Sequence, residues 1–285
     1  MSDASEQVRT PLWQRVPEAV GAAIRRRILS VRDAVLYVGG LLRLLGRVGQ
    51  RIALAAAGRG TRIRWGAITY QMVRVGVRSV PIIVLVQIFI GIILALNLAP
   101  TLEDYGQLER VADVVAIAVF RELGALISAI VLSGFAGASI AAELGAMVEG
   151  EEIKALRAHA LDPLRFLVVP RLIATAVMMI GLTVLANVVG VLGGFLTATL
   201  VLDVKPQIYL DLTQQALDLR DYFTGLFKAL VFGVIIASLA CYEGLNVRGG
   251  AEGVGRATTT TVVKCIVALI GADTIFTIIF YTLGW

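Results

Sequence analysis

Four ionisable residues stand in or beside strongly apolar runs: Arg121, Glu122, Lys228 and Asp273. An ionisable group at the centre of a membrane helix costs roughly 2.5–3.5 kcal/mol on insertion scales. It persists there by facing a partner, a water-filled cavity or a charged ligand. Lys228 and Asp273 carry opposite charges and can pair across two helices; they can also form a polar patch in a lipid-sized cavity, and the two readings are compatible. For Arg121 and Glu122 two positions stay open. They cap a span at its outer interface, because residues 123–142 are long enough to cross alone, or the preceding VADVVAIAVF extends the helix and buries them.

Other chemistries find little to work with. One histidine, His159, rules out a histidine cluster, and Cys241 and Cys265 both lie in apolar sequence, so neither a disulfide framework nor a zinc site is suggested. None of the four lysines (Lys154, Lys205, Lys228, Lys264) follows a glycine, so no phosphate loop of the GxxxxGK[ST] type is present. No nucleophile–base pair stands out. We therefore expect no catalytic residue, no metal and no cofactor in this chain.

The elements that position the four charges are membrane helices. The 285 residues are 58% hydrophobic and 16% charged, with mean hydropathy +0.82. About 20 apolar residues suffice to cross a bilayer as a helix. Uncharged runs at 79–102, 123–142 and 172–202 meet that length; the two later spans do so only by including Lys228 and Asp273. The reading is all-α and integral to the membrane, with five spans at about 79–102, 114–147, 166–202, 222–245 and 260–284. The opening MSDASEQVRTPLWQRV has no apolar core before a small-residue cleavage site, so no cleaved signal peptide is expected.

Fourteen arginines and only four acids precede residue 79. Such a segment could meet nucleic acid, but a cytoplasmic flank against anionic headgroups accounts for it without a further partner. Residues 28–56 alternate apolar residues with Arg32, Arg43, Arg47 and Arg51, the pattern of a basic amphipathic helix lying in the interface. Counting Lys and Arg in each loop places the N-terminus in the cytoplasm and the C-terminus outside.

Between spans two and three runs GEEIKALRAHALDP, the most polar stretch between two apolar runs. Read as a helix, Ile153, Leu156 and Ala160 share a face, Glu151 and Glu152 sit in the first turn where the helix dipole favours anions, and Asp162-Pro163 ends it. A simple reconnection needs no apolar face, so a short cytoplasmic helix made for docking is expected, with Lys154 and Arg157 on it. RGGAEGVGRATTTTVV, from Arg248, reads as a tight cytoplasmic turn (Gly249, Gly250, Glu252, Gly253, Gly255) with Thr258 or Thr259 opening the last helix.

Four segments in order carry a resemblance: VRSVPIIVLVQIFIGIILAL, RELGALISAIVLSGFAGASIAAELGAM, EIKALRAHALDPLRFLVVPR and GGAEGVGRATTTTVV. They resemble the MlaE/YrbE family of permease subunits of bacterial ABC phospholipid transporters. The likeness runs from about Gly76 to the C-terminus. It departs from the family at Gly134-Phe135-Ala136-Gly137, where the pattern usually reads Gly-Arg-x-Gly. The resemblance implies an MlaE-type permease domain over 76–285, after a basic region over 1–75. It implies a multi-pass protein of the bacterial inner membrane, working as a homodimer with a separate ABC ATPase that holds the ATP and magnesium. It further implies a periplasmic MCE-domain lipid-binding partner, a cytoplasmic STAS-domain protein, phospholipid as cargo, a role in outer-membrane lipid asymmetry, and no nucleic acid. The segment matching Glu151, Glu152, Ile153, Leu156, Arg157, Asp162 and Pro163 is the family's coupling helix to the ATPase, and the positions of Arg121, Glu122, Lys228 and Asp273 line a cavity between two permease copies. A secondary transporter with a carboxylate proton relay is the competing expectation.

Overall fold

The computed structural model describes residues 32, 33, 35–54, 57 and 65–284, and among them every regular element is helical. The chain divides into two units, 1–47 and 48–285. Helix α1, residues 35–54, leaves Val35, Leu36, Val38 and Leu42 exposed together with Arg43 and Arg47. The part of the expected amphipathic stretch before residue 32 lies outside the described residues.

The second unit holds α2 (Trp65–Val75), α3 (Val80–Asp104), α4 (Val111–Ala118), α5 (Gly124–Leu132), α6 (Ala138–Glu149), α7 (Glu152–Ala158), α8 (Val169–Leu200), α9 (Pro206–Ala216), α10 (Leu219–Leu245) and α11 (Gly250–Thr282). Several of these run on through single 3₁₀ or π turns. Five continuous stretches result that are long and apolar enough to cross a membrane: Trp65–Asp104, Leu108–Glu149, Leu164–Leu200, Leu219–Leu245 and Gly250–Thr282. All five begin before the expected spans, the third by only two residues, because backbone hydrogen bonds hold a helix together beyond the point where its side chains stop being apolar.

The bundle is built around α8, which packs against α2, α3, α5 and α10, while α11 lies on α6 and α10. Contact between α3 and α8 depends on glycine: a Cβ at Gly91 would run into Gly190 O. Lipid offers apolar helices no hydrophobic drive toward one another, so close van der Waals approach supplies the attraction instead. The run GFAGASIAAELGA contributes less to this than its small residues imply. Gly134 faces open space, whereas Ala141 is approached by Gly244 of α10, whose Cβ would sit 2.9 Å from Ala141 O.

Two local expectations are corrected. The polar helix between spans two and three is shorter than 150–163: it ends at Ala158, and Ala160 adopts φ 58°, so it shares no helical face with Ile153 and Leu156. Asp162 does not end this helix. Its Oδ1 accepts from Leu164 N at 3.1 Å and so opens the next one. The last helix begins at Gly250, not at Thr258 or Thr259. Of the five residues expected in the turn, only Gly249 (φ 98°) and Gly250 (φ 65°) take a left-handed conformation. Gly253 and Gly255 are already helical, Glu252 pairs with Arg256 at 3.1 Å one turn on, and Thr258 donates back to Gly255 O at 2.6 Å.

Candidate functional site

In the second stretch the helix widens to a π turn at Val119–Leu123, directly before α5. A π turn adds one residue to the i→i−4 ladder and re-aims the side chains it carries, which is why such turns recur at functional sites. Here it carries Arg121 and Glu122. Two buried amides brace it. Gln87 Nε2 of α3 lies 3.4 Å from Leu123 O, Gly124 O and Ser128 Oγ. Asn187 of α8, with its amide turned so that both ends are satisfied, donates to Val119 O and Thr183 O at 3.3 Å. Neither was singled out from sequence, although a lone amide in an uncharged run was a signal that could have found them.

Glu122 points to α10. Lys228 Nζ donates to Glu122 Oε2 at 2.5 Å and to Thr277 Oγ1 at 3.2 Å, and Thr277 Oγ1 donates to Glu122 Oε1 at 3.1 Å. Asp273, one turn before Thr277 on α11, has Oδ1 3.0 Å from the same ammonium. That contact is an ion pair off the hydrogen-bond direction, for Asp273 Oδ1 accepts no hydrogen bond. The Phe280 ring lies 5.9 Å from the ammonium. The Lys228 side chain is wholly buried, Asp273 is 14% exposed and Glu122 30%. The cluster is thus closed on the lysine side and reachable from the side of Glu122 and Thr277. Two carboxylates face one ammonium, a formal charge of −1.

Of the two positions open for Arg121 and Glu122, the structure gives a split answer. The helix does continue through them from α4, and Glu122 joins the cluster, but Arg121 pairs outside it, with Nη1 3.7 Å from Asp221 at the start of α10. Lys228 is therefore engaged by two acids, and a phosphate reaching it would have to displace one of them.

A second set of charges sits elsewhere in the bundle. Arg74 Nη1 of α2 and Arg171 Nη2 of α8 both approach Glu143 Oε2 of α6, at 2.7 and 2.9 Å. Arg171 is almost fully buried and also donates to Leu167 O at 2.8 Å. Phe135, on the π turn Ser133–Gly137, is 43% exposed and borders the same region. None of these three charges was a sequence candidate.

The short helix α7 packs against α6. Ile153 is buried, so it holds the helix to its own bundle, while Glu152 and Arg157 are exposed and Leu156 is half-buried. Glu151, at φ 59°, accepts from Lys154 at 2.6 Å, and that hydrogen bond holds its carboxyl below the ordinary range. Pro163 follows Asp162 just ahead of the π turn Leu164–Val168.

Residues 68–279 match the family model described as Permease MlaE. An intermembrane phospholipid transport system permease protein MlaE of Haemophilus influenzae is 32% identical over 244 residues, 85% of this chain and 94% of that one. A probable ABC transporter permease protein of Synechocystis is 39% identical over 199 residues, 70% of this chain and 76% of that one. A probable ABC transporter permease protein of Rickettsia prowazekii is 36% identical over 211 residues, 74% and 82% of the two chains.

Proposed function

This chain belongs to the MlaE permease family, and from that premise we propose that it is the membrane subunit of an ABC transporter that moves phospholipid between the inner membrane and a periplasmic carrier. The match across 68–279, which takes in nearly all of the five apolar stretches, is the observation that carries this reading.

The finer parts rest on the residues. The N-terminus lies in the cytoplasm and the C-terminus outside, from the Lys and Arg bias of the loops. Helix α1 lies in the cytoplasmic interface, its arginines toward anionic headgroups. A separate ATPase, with its ATP and magnesium, docks on α7 through Glu152, Leu156 and Arg157. The loop at Gly249, Gly250 and Glu252 lies on that same cytoplasmic face. α11 is the least buried of the five stretches and exposes Val263, Val267 and Ile270. A second copy of the chain covers this face and completes a cavity into which Glu122 and Thr277 open. There the headgroup exchanges with the cluster's own partners while Arg121, beside it, attracts the phosphate. An MCE-domain protein receives the lipid outside, and a STAS-domain protein is a further cytoplasmic partner.

The test is reconstitution of the chain with its co-purified ATPase in liposomes holding labelled phospholipid. Transfer to an acceptor should require ATP hydrolysis and be indifferent to a collapsed proton gradient. Transfer that follows the gradient without ATP would establish a proton-coupled carrier instead. Charge reversal at Glu152 combined with Leu156→Asp should abolish ATPase capture while the permease stays folded, since the docking face would gain an unpaired carboxylate.

A further inference from the structure

Beside the Arg74–Glu143 pair lies a cavity of 100 Å³, lined by Gln71, Arg74, Arg78, Phe135, Ser139 and Glu143 among others. One water needs roughly 10–15 Å³, so several polar atoms fit. Three observations bear on what it takes. Its charge is unbalanced: Arg74 and Arg78 line it, Arg171 shares Glu143 with Arg74, and among the described residues Glu143 is the only acid on the wall. Gln71 is 93% buried (7% exposed), and its Oε1 has no hydrogen-bond partner. Arg171 likewise keeps Nε buried without an acceptor. Unpaired buried polar groups cost free energy and call for a partner. The groups left over are cationic donors in excess and one orphaned amide acceptor.

From this we infer that the cavity is a binding site for a phospholipid headgroup, separate from the Glu122–Lys228–Asp273 cluster: the phosphodiester lies between Arg74 and Arg78, and a hydrogen-bond donor on the headgroup, such as the ammonium of an ethanolamine, reaches Gln71 Oε1. A free phosphate would meet the guanidiniums equally well. What favours a ligand with chains is the helix face that runs on from Arg78. Ile82, Leu85 and Phe89 follow at steps of four, three and four residues, and all are exposed. The headgroup of a lipid lying along that face would fall at Arg78. In the orientation proposed above, with the start of the first stretch cytoplasmic, the site loads from the cytoplasmic leaflet. The identity of the ligand rests on the phospholipid reading of the family; the existence of the site does not.

Binding to the purified full-length chain in detergent tests this, with four probes: dioleoylphosphatidylethanolamine, dioleoylphosphatidylcholine, glycerophosphoethanolamine and inorganic phosphate. The ethanolamine lipid should bind tightest, and the choline lipid, whose trimethylated nitrogen has no N–H, more weakly. The two chainless probes should bind weakest. Arg78→Gln, an exposed position, should weaken the ethanolamine lipid about tenfold, as expected for one charge-assisted hydrogen bond. Gln71→Leu should remove the difference between the two lipids. Thermal unfolding of each variant confirms the fold, and Arg78→Gln alone decides if Gln71→Leu does not fold. Unchanged affinity in Arg78→Gln overturns the site. Inorganic phosphate binding as tightly as the lipid overturns the lipid assignment. Because binding is read without the ATPase, a chain that transports lipid but shows no Arg78 effect loses only this inference.

Discussion

The two charged clusters of the bundle solve one physical problem with opposite stoichiometry. Around Lys228, two acids and a threonine hydroxyl surround one ammonium that no solvent reaches. Around Glu143, two guanidiniums share one carboxylate oxygen, and a third, Arg78, lines the cavity beside it. In a poorly solvated site, Coulomb attraction offsets desolvation only when the charges balance and the remaining lone pairs and protons are bonded. The first cluster is short of one positive charge, the second of negative charge. A positive surplus beside an open cavity suits an anionic ligand, whereas a negative surplus wrapped around a buried lysine suits a structural centre that a headgroup reaches only by displacing one of the lysine's acids. The contrast teaches that ionic groups within a span are not one class: the sign of the imbalance says which of them awaits a partner.

The largest effect that separates the two should come from Lys228→Met. It leaves Glu122 and Asp273 facing each other without a cation, a loss of about 3–5 kcal/mol for a broken buried pair. Thermal unfolding in detergent should fall by roughly 10 °C, and no added lipid should restore it. A variant that unfolds like the native chain would remove the lysine from its structural role.

Glu143→Gln comes next, at about 2 kcal/mol, because Glu143 is 29% exposed and its loss is partly screened. Here the sign of the surplus matters. The variant adds one more unbalanced positive charge, so anionic phosphatidylglycerol should recover much of its stability, and should recover none in Lys228→Met. Recovery in both, or in neither, would erase the distinction between the clusters.

A smaller loss, about 1 kcal/mol, is expected for Thr277→Val, which removes the hydroxyl that bridges Lys228 and Glu122 but keeps the side-chain shape. The smallest belongs to the solvated reference pair, Glu151 and Lys154. The hydrogen bond from Lys154 depresses the Glu151 carboxyl below its ordinary value of 4.5. A carboxyl whose folded value is depressed stabilises the fold above its unfolded value, and that contribution disappears as pH falls through the folded one. Lys154→Ala should therefore move the Glu151 titration up toward 4.5 and leave stability at pH 7 almost unchanged, as NMR titration would read directly.

How much of this was legible beforehand follows from how each feature is encoded. Opposite charges isolated in apolar runs are rare enough that Lys228 and Asp273 stood out, and the structure sets them 3.0 Å apart. That Glu122 is the nearer partner was not readable, because it depends on the π turn Val119–Leu123, and no residue type marks an inserted residue in a continuous helix. Thr277 was hidden for another reason. Threonines in these helices mostly bond their own backbone, as Thr175 and Thr261 do, so one that bonds a carboxylate looks the same in sequence. Arg74 was absorbed into a basic flank, and Glu143 fell one residue past an uncharged run. The glycines after Arg248 misled because glycine is a poor helix former, yet packing against α6 and α10 overrides that weak preference from Gly250 onward.

On the proposed function, the Glu122–Lys228–Asp273 cluster serves both fold and lipid path. The direct test is ATP-dependent phospholipid transfer by the triple variant Glu122→Gln, Lys228→Met, Asp273→Asn, reconstituted with its ATPase. All three charges leave together, so no buried ion stays unpaired and the variant should remain folded, with an unfolding temperature well above that of Lys228→Met alone. Transfer should nevertheless fall at least tenfold. Transfer at the native rate in that folded variant would contradict the account and leave the cluster as structure alone.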